Sequence, residues 1–174
     1  MIILLDLNYT LVANSPKRGT TPPAMAVRLR TERYRQWLVE LVRPHHVILM
    51  TARPSRWREP TLERIHEMTG WRPQEAFFAE RGAGGPPGIK QRILFAHVFP
   101  NHGRHANYIA IESNPRSRAM YARHGIPAVP VGNRQWKRIP PWLSCEVCDF
   151  SRIAKSPDFR VTMLTQIPGR ATGA

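Results

Sequence analysis

The stretch Met1-Ile-Ile-Leu-Leu-Asp6-Leu-Asn8-Tyr9-Thr10-Leu-Val12 decides how the rest of the chain is read. Residues 1–5 are apolar and run straight into a carboxylate. A strand buried on both faces shows no polar alternation, so this pattern predicts a central strand of a parallel sheet that delivers Asp6 to the carboxyl edge. Open α/β sheets bind their ligands at that edge. A buried strand whose aspartate merely caps the next turn has the same local pattern. The aspartate inventory favours function, because no other aspartate precedes Asp149.

Working outward, residues 13–23 are polar, with Gly19, Pro16, Pro22 and Pro23, and read as a loop or short flap. Thr31 offers an N-cap to a helix over 32–42, with apolar residues at 34, 37, 38, 41 and 42 and a stop at Pro44. That spacing puts Tyr34 and Trp37 in the core. A second strand over 46–50 ends in Thr51 and Arg53, and a helix over 60–69 presents Leu62, Ile65 and His66 on one face before Gly70. Phe77-Phe78 is expected as a short strand. Residues 82–88 are rich in glycine and proline but lack the phosphate-loop pattern GxxxxGK[ST], so they read as a flexible loop and nothing indicates an ATP-consuming kinase. A third helix is expected over 90–98, with Lys90 at a start that disfavours cations. Residues 107–111 form a strand ending in Glu112-Ser113-Asn114, Pro115 opens a helix closed by Gly125, and residues 126–131, carrying two prolines, suit an edge strand.

The expected class is therefore α/β, a mainly parallel sheet with helices on both faces. With 174 residues the chain accommodates one core, over 1–143, followed by an irregular tail over 144–174. No apolar run reaches the length of a membrane span or follows a signal-peptide pattern, so the expected location is intracellular, in the cytoplasm. The 26 Lys+Arg against 12 Asp+Glu give a net charge of +14, mostly from arginine. Guanidinium forks match phosphate, so the expected partner is a nucleic acid or nucleotide. Trp136 and Trp142 beside Arg134, Lys137 and Arg138 form a possible stacking patch, though packing of the tail explains them more simply. Cys145 and Cys148 form a lone CxxC. A zinc site would require a second pair, for which His102 and His105 have the spacing, but ordinary thiols are the simpler reading. His97, His102 and His105 read as surface residues.

Asp6, Thr51 with Arg53, Lys90 and Glu112, brought to one edge, make a nucleophile, phosphate donors and a metal ligand, the parts of phosphoryl transfer through an aspartyl-phosphate. At this point the sequence resembles the haloacid dehalogenase superfamily over residues 1–132. The DxDxT motif is matched by Asp6-Leu-Asn8-Tyr-Thr10, the Ser/Thr motif by Thr51, the lysine motif by Lys90 and the acidic motif by Glu112-Ser113-Asn114. It is most similar to phosphatase domains of the polynucleotide kinase 3′-phosphatase type, on the Thr51-Ala-Arg53 turn and the Glu112…Arg116…Met120…Arg123…Gly125-Ile126 stretch.

The resemblance implies a Rossmann-like fold with a minimal cap and a Mg²⁺-dependent phosphatase. It makes Asp6 the nucleophile and gives Thr51 and Lys90 the phosphate. Thr10, Arg53, Ser113 and Asn114 become substrate contacts, and Asp6, the Asn8 carbonyl and Glu112 the metal ligands. Two departures stand out. Asn8 replaces the aspartate that serves as general acid and base, and Glu112 is the sole acid of its motif. Asn8 is compatible with a slow phosphatase that uses another acid, a phosphate-binding relative without turnover, or an introduced substitution. The alternatives to a nucleic-acid end phosphatase are thus a binding module for phosphorylated nucleic acid or a partner protein, and a nucleoside monophosphatase.

Overall fold

Successive residues of β1 (Ile2–Leu5) point to opposite faces, and both faces are covered. In the computed structural model, which describes residues 1–16, 21, 23–80 and 84–131, β1 is the middle of a five-stranded, all-parallel sheet of order β3-β2-β1-β4-β5. The remaining strands are β2 (His46–Pro54), β3 (Glu75–Ala79), β4 (Tyr108–Ile111) and β5 (Ala128–Val129). The chain folds to one side of β1 and then crosses to the other, so the switch point lies between β1 and β4.

The helices are α1 (Met25–Thr31), α2 (Gln36–Val42), α3 (Arg58–Thr69), α4 (Pro86–Ile93), α5 (Phe99–His102) and α6 (Pro115–Arg123). One layer packs α2 and α3 through Leu38, Val42 and Ile65 onto Ile3, Leu5, Val47 and Leu49. The opposite layer sets Ile89, Leu94, Val98, Met120 and Tyr121 against Leu4, Ile48 and Ala110. This Rossmann-like α/β fold is the expected class. The division at residue 143, the CxxC pair and the Trp136/Trp142 patch lie outside the described residues, as does part of the 13–23 segment.

Several elements differ from expectation, among them β2, which runs past residue 50 to Pro54 and so contains Thr51 and Arg53. The helix expected over 32–42 starts only at Gln36, and Thr31 ends the preceding helix α1. Of the four residues between, Glu32 and Tyr34 are buried, Arg35 is half-buried and Arg33 is exposed: the Tyr34 hydroxyl donates to Glu32 Oε2 at 3.0 Å, and Arg35 Nη1 donates to the carbonyls of Thr10 and Val12 at 2.5 and 3.0 Å. The helix expected over 90–98 begins at Pro86 and runs through a π turn (Leu94–Val98) into α5. Lys90 therefore sits inside it, away from the unfavourable first turn. Pro100 has no N–H and its ring crowds the carbonyl one turn back, so the wide π turn before it accommodates the helix. On α3 the buried positions are Thr61 and Ile65, with His66 exposed.

Arg35 thus staples the segment after β1 to the rest of the domain. Arg35→Ala is expected to lower unfolding free energy by about 1–3 kcal/mol, since it strips partners from half-buried carbonyls; urea denaturation measures it.

Candidate active site

The turn leaving β1 keeps Asp6 in place. Leu11 N–H donates to the Asp6 carbonyl and Val12 N–H to that of Leu7, which closes a wide turn over residues 6–12. Tyr9 adopts φ 64° inside it, a strained conformation for a bulky residue. Its N–H bonds to Ser15 Oγ at 2.7 Å and its hydroxyl to the Pro16 carbonyl at 2.6 Å, which offsets the strain.

Asp6 emerges at the switch point, 8% exposed. Thr10 Oγ1 donates to its Oδ2 at 2.7 Å, and Lys90 Nζ to its Oδ1 at 2.5 Å. The same ammonium donates to Glu112 Oε2, at the end of β4. Ser113 completes the group: its N–H meets Thr10 Oγ1 at 3.1 Å, and its hydroxyl lies 3.3 Å from the Asn8 carbonyl and 3.5 Å from Asp6 Oδ2. Asn114 serves the backbone, for its N–H donates to Glu112 Oε1 and its Oδ1 caps α6 by accepting the Arg116 N–H.

A second network flanks Asn8. Arg53, 2% exposed, donates to both oxygens of Glu32, to Thr61 Oγ1 at 2.9 Å and to Asn8 Oδ1 at 3.2 Å. Arg28 Nη2 reaches the same Asn8 oxygen at 3.2 Å. The Nε atoms of Arg28 and Arg53 are buried and meet no hydrogen-bond partner among the described residues. Thr51, fully buried, accepts the Arg53 N–H at 3.2 Å. Sequence reasoning missed Arg28, Glu32 and Thr61. Helix α1 was legible in the run Ala24-Met-Ala-Val-Arg28-Leu-Arg30; nothing in the sequence marked Glu32 as the partner of Arg53.

Charge is unevenly spread here. Burial alone would lower the Lys90 pKa, but Asp6 and Glu112 outweigh it and hold the ammonium well above the usual lysine range. Burial, opposed by Lys90 and helped by Asp6, pushes Glu112 up to about 7. With Glu112 ionised, two buried carboxylates against one ammonium leave surplus negative charge, and the neighbouring donors, the Asn8 carbonyl and Ser113 hydroxyl, are hard oxygens. This set fits Mg²⁺, with Asp6, the Asn8 carbonyl and Glu112 as the residues able to hold it.

Five chains of known structure resemble this fold. One, from "Structure of the Pnkp1/Rnl/Hen1 RNA repair complex", superposes with a TM-score of 0.57 at 17% identity, over 76% of this chain and 43% of that one. The likeness is one of fold. The chain spans less than half of that relative's length. No protein-family model and no curated protein matches the sequence.

Two outcomes test the networks. Glu32→Ala, which leaves the Arg53 guanidinium buried and uncompensated, is expected to cost about 3–5 kcal/mol in chemical denaturation. Glu112 binds its proton up to about 7 when folded but only to its ordinary 4.5 when unfolded, so between those values the folded state holds more protons and stability falls as pH rises. Glu112→Gln should flatten that slope in chelator-treated protein, measured by denaturation across pH.

Proposed function

We propose that the chain is a phosphatase-type phosphoryl-transfer domain, similar to haloacid dehalogenase enzymes, that acts on a phosphorylated nucleic-acid end or nucleotide through Asp6. The observation that carries this reading is the placement of Asp6 at the switch point, with the Thr10 hydroxyl on one carboxylate oxygen and the Lys90 ammonium on the other. Those bonds orient the carboxylate for in-line attack on phosphorus. The Asp6 oxygen bonds to phosphorus as the ester bond to the leaving oxygen breaks, and that oxygen takes a proton from solvent because Asn8 has none to give. Water then attacks phosphorus and releases Asp6 and inorganic phosphate. Mg²⁺, when bound by Asp6, the Asn8 carbonyl and Glu112, supplies positive charge against the phosphate oxygens. Arg28 and Arg53 supply more on the opposite side of Asn8. The net charge of +14 favours a polyanion over a small substrate, and the structural neighbour belongs to an RNA repair complex.

A binding module that grips phosphate without turnover is the second reading. Its support is Asn8 itself: an amide whose oxygen is held by two guanidiniums neither donates a proton to a leaving group nor activates water.

The test is Mg²⁺-dependent phosphate release from an aryl phosphate, a 3′-phosphorylated oligonucleotide and mononucleotides. The native chain is expected to favour the aryl phosphate, whose leaving oxygen needs no proton. Asn8→Asp should accelerate oligonucleotide hydrolysis by about 10²–10⁴, most at acidic pH, because Arg28 and Arg53 favour the ionised form of an aspartate there. Asp6→Asn should be silent. Silence of all three proteins on every substrate, with salt-dependent oligonucleotide binding retained, overturns the enzyme and leaves the binding module.

A further inference from the structure

The amino edge of the sheet, opposite Asp6, carries a second cluster of chemically capable side chains. His46 opens β2, Glu75 opens β3 and His102 ends α5. Glu75 pairs in register with Ile48, so His46 and Glu75 lie on the same sheet face, the one covered by α4 and α6. The long helical run through the π turn carries His102 down to meet them. Nε2 of each histidine lies 2.7 Å from the same Glu75 Oε1, and the two rings sit with centroids 5.0 Å apart. The three donor atoms all lie within 4.8 Å of one another.

We propose that His46, Glu75 and His102 form a site for a divalent transition ion of the zinc type, separate from the phosphate site. Two imidazoles and a carboxylate are a zinc donor set, and they exclude Mg²⁺ and Ca²⁺ as preferred occupants because those ions take oxygen ligands. Zinc–ligand bonds of about 2.0–2.2 Å in a tetrahedron set donors about 3.3 Å apart. The present 2.7 Å contacts therefore open by roughly 0.6 Å on metal binding, a side-chain adjustment. The scaffold is fixed meanwhile: His46 is locked opposite Ile2 in the ladder, and the Tyr108 hydroxyl holds the Gly103 carbonyl at 2.7 Å, directly after His102. The side chains are 38, 25 and 19% exposed, so a fourth position opens to solvent for water or an incoming oxygen ligand. Since His46 pairs with Ile2 and Asp6 lies four residues further along that strand, the two sites are about 13 Å apart at the usual rise. Bound metal joins the starts of β2 and β3 to the end of the α4–α5 run.

The full chain, stripped by chelator, is titrated with Zn²⁺ against a chromophoric chelator, and with Co²⁺ by absorption. One ion per chain is expected, with a cobalt spectrum of nitrogen and oxygen ligands and no thiolate charge-transfer band. Binding should persist in Cys145→Ser/Cys148→Ser and in Asp6→Asn, and weaken at least about 100-fold in Glu75→Gln and His102→Ala, with circular dichroism confirming their fold. Should either of those two unfold, the cobalt spectrum of the double cysteine variant decides alone. Absence of binding by the native chain, loss in the cysteine or Asp6 variants, or full affinity in Glu75→Gln and His102→Ala overturns the site.

Discussion

One buried ammonium holds the carboxyl edge of the sheet together. Lys90, 84 positions from Asp6 in sequence, joins the end of β1 to the end of β4 from α4, which packs against β2 and α6. A lysine at 1% exposure is tolerable only while charged partners surround it. Its carboxylates in turn depend on it, because without the ammonium two buried negative charges would face each other. The arrangement constrains the switch point from three directions, and Thr10 and Ser113 tie the turns after β1 and β4 into it.

Across that crevice the charges are sorted. Asp6 and Glu112 place negative charge between β1 and β4, on either side of the Lys90 ammonium. Arg28 and Arg53 place positive charge beyond Asn8, both on its side-chain oxygen. Glu32 keeps Arg53 from being an isolated buried cation, and the Tyr34 hydroxyl, whose phenol is pushed well above its usual range by burial and by Glu32, keeps its proton and donates it in a hydrogen bond to that carboxylate. The non-helical residues 32–35 turn Glu32 and Tyr34 inward and leave Arg33 outside.

The sheet was legible because burial on two faces erases polar alternation: residues 2–5, 47–50 and 108–111 declare themselves as parallel strands. Asp6 and Glu112 were legible as acids that follow apolar strands directly, and Thr51 as the polar residue after the apolar run of β2. The helix boundaries near Thr31 and Pro86 were not, since capping preferences worth about 1 kcal/mol yield to buried ion pairs and helix packing. The contact between His102 and Glu75 was not legible for a related reason. The histidine's neighbours in sequence are polar, and its partners His46 and Glu75 arrive from elsewhere on the sheet.

By itself, the sequence determined the α/β class, the apolar strands that run into polar residues and the arginine excess, because all of these are properties of local pattern and composition. The tertiary structure alone decided that Lys90 stands between two acids, that Arg53 rests on Glu32, that Asn8 faces two guanidiniums, and that His46, Glu75 and His102 converge at the far edge. Each of these depends on the spatial order β3-β2-β1-β4-β5 and on the strand register. Pairwise electrostatics acts through distance in space, and distance along the chain carries no record of it.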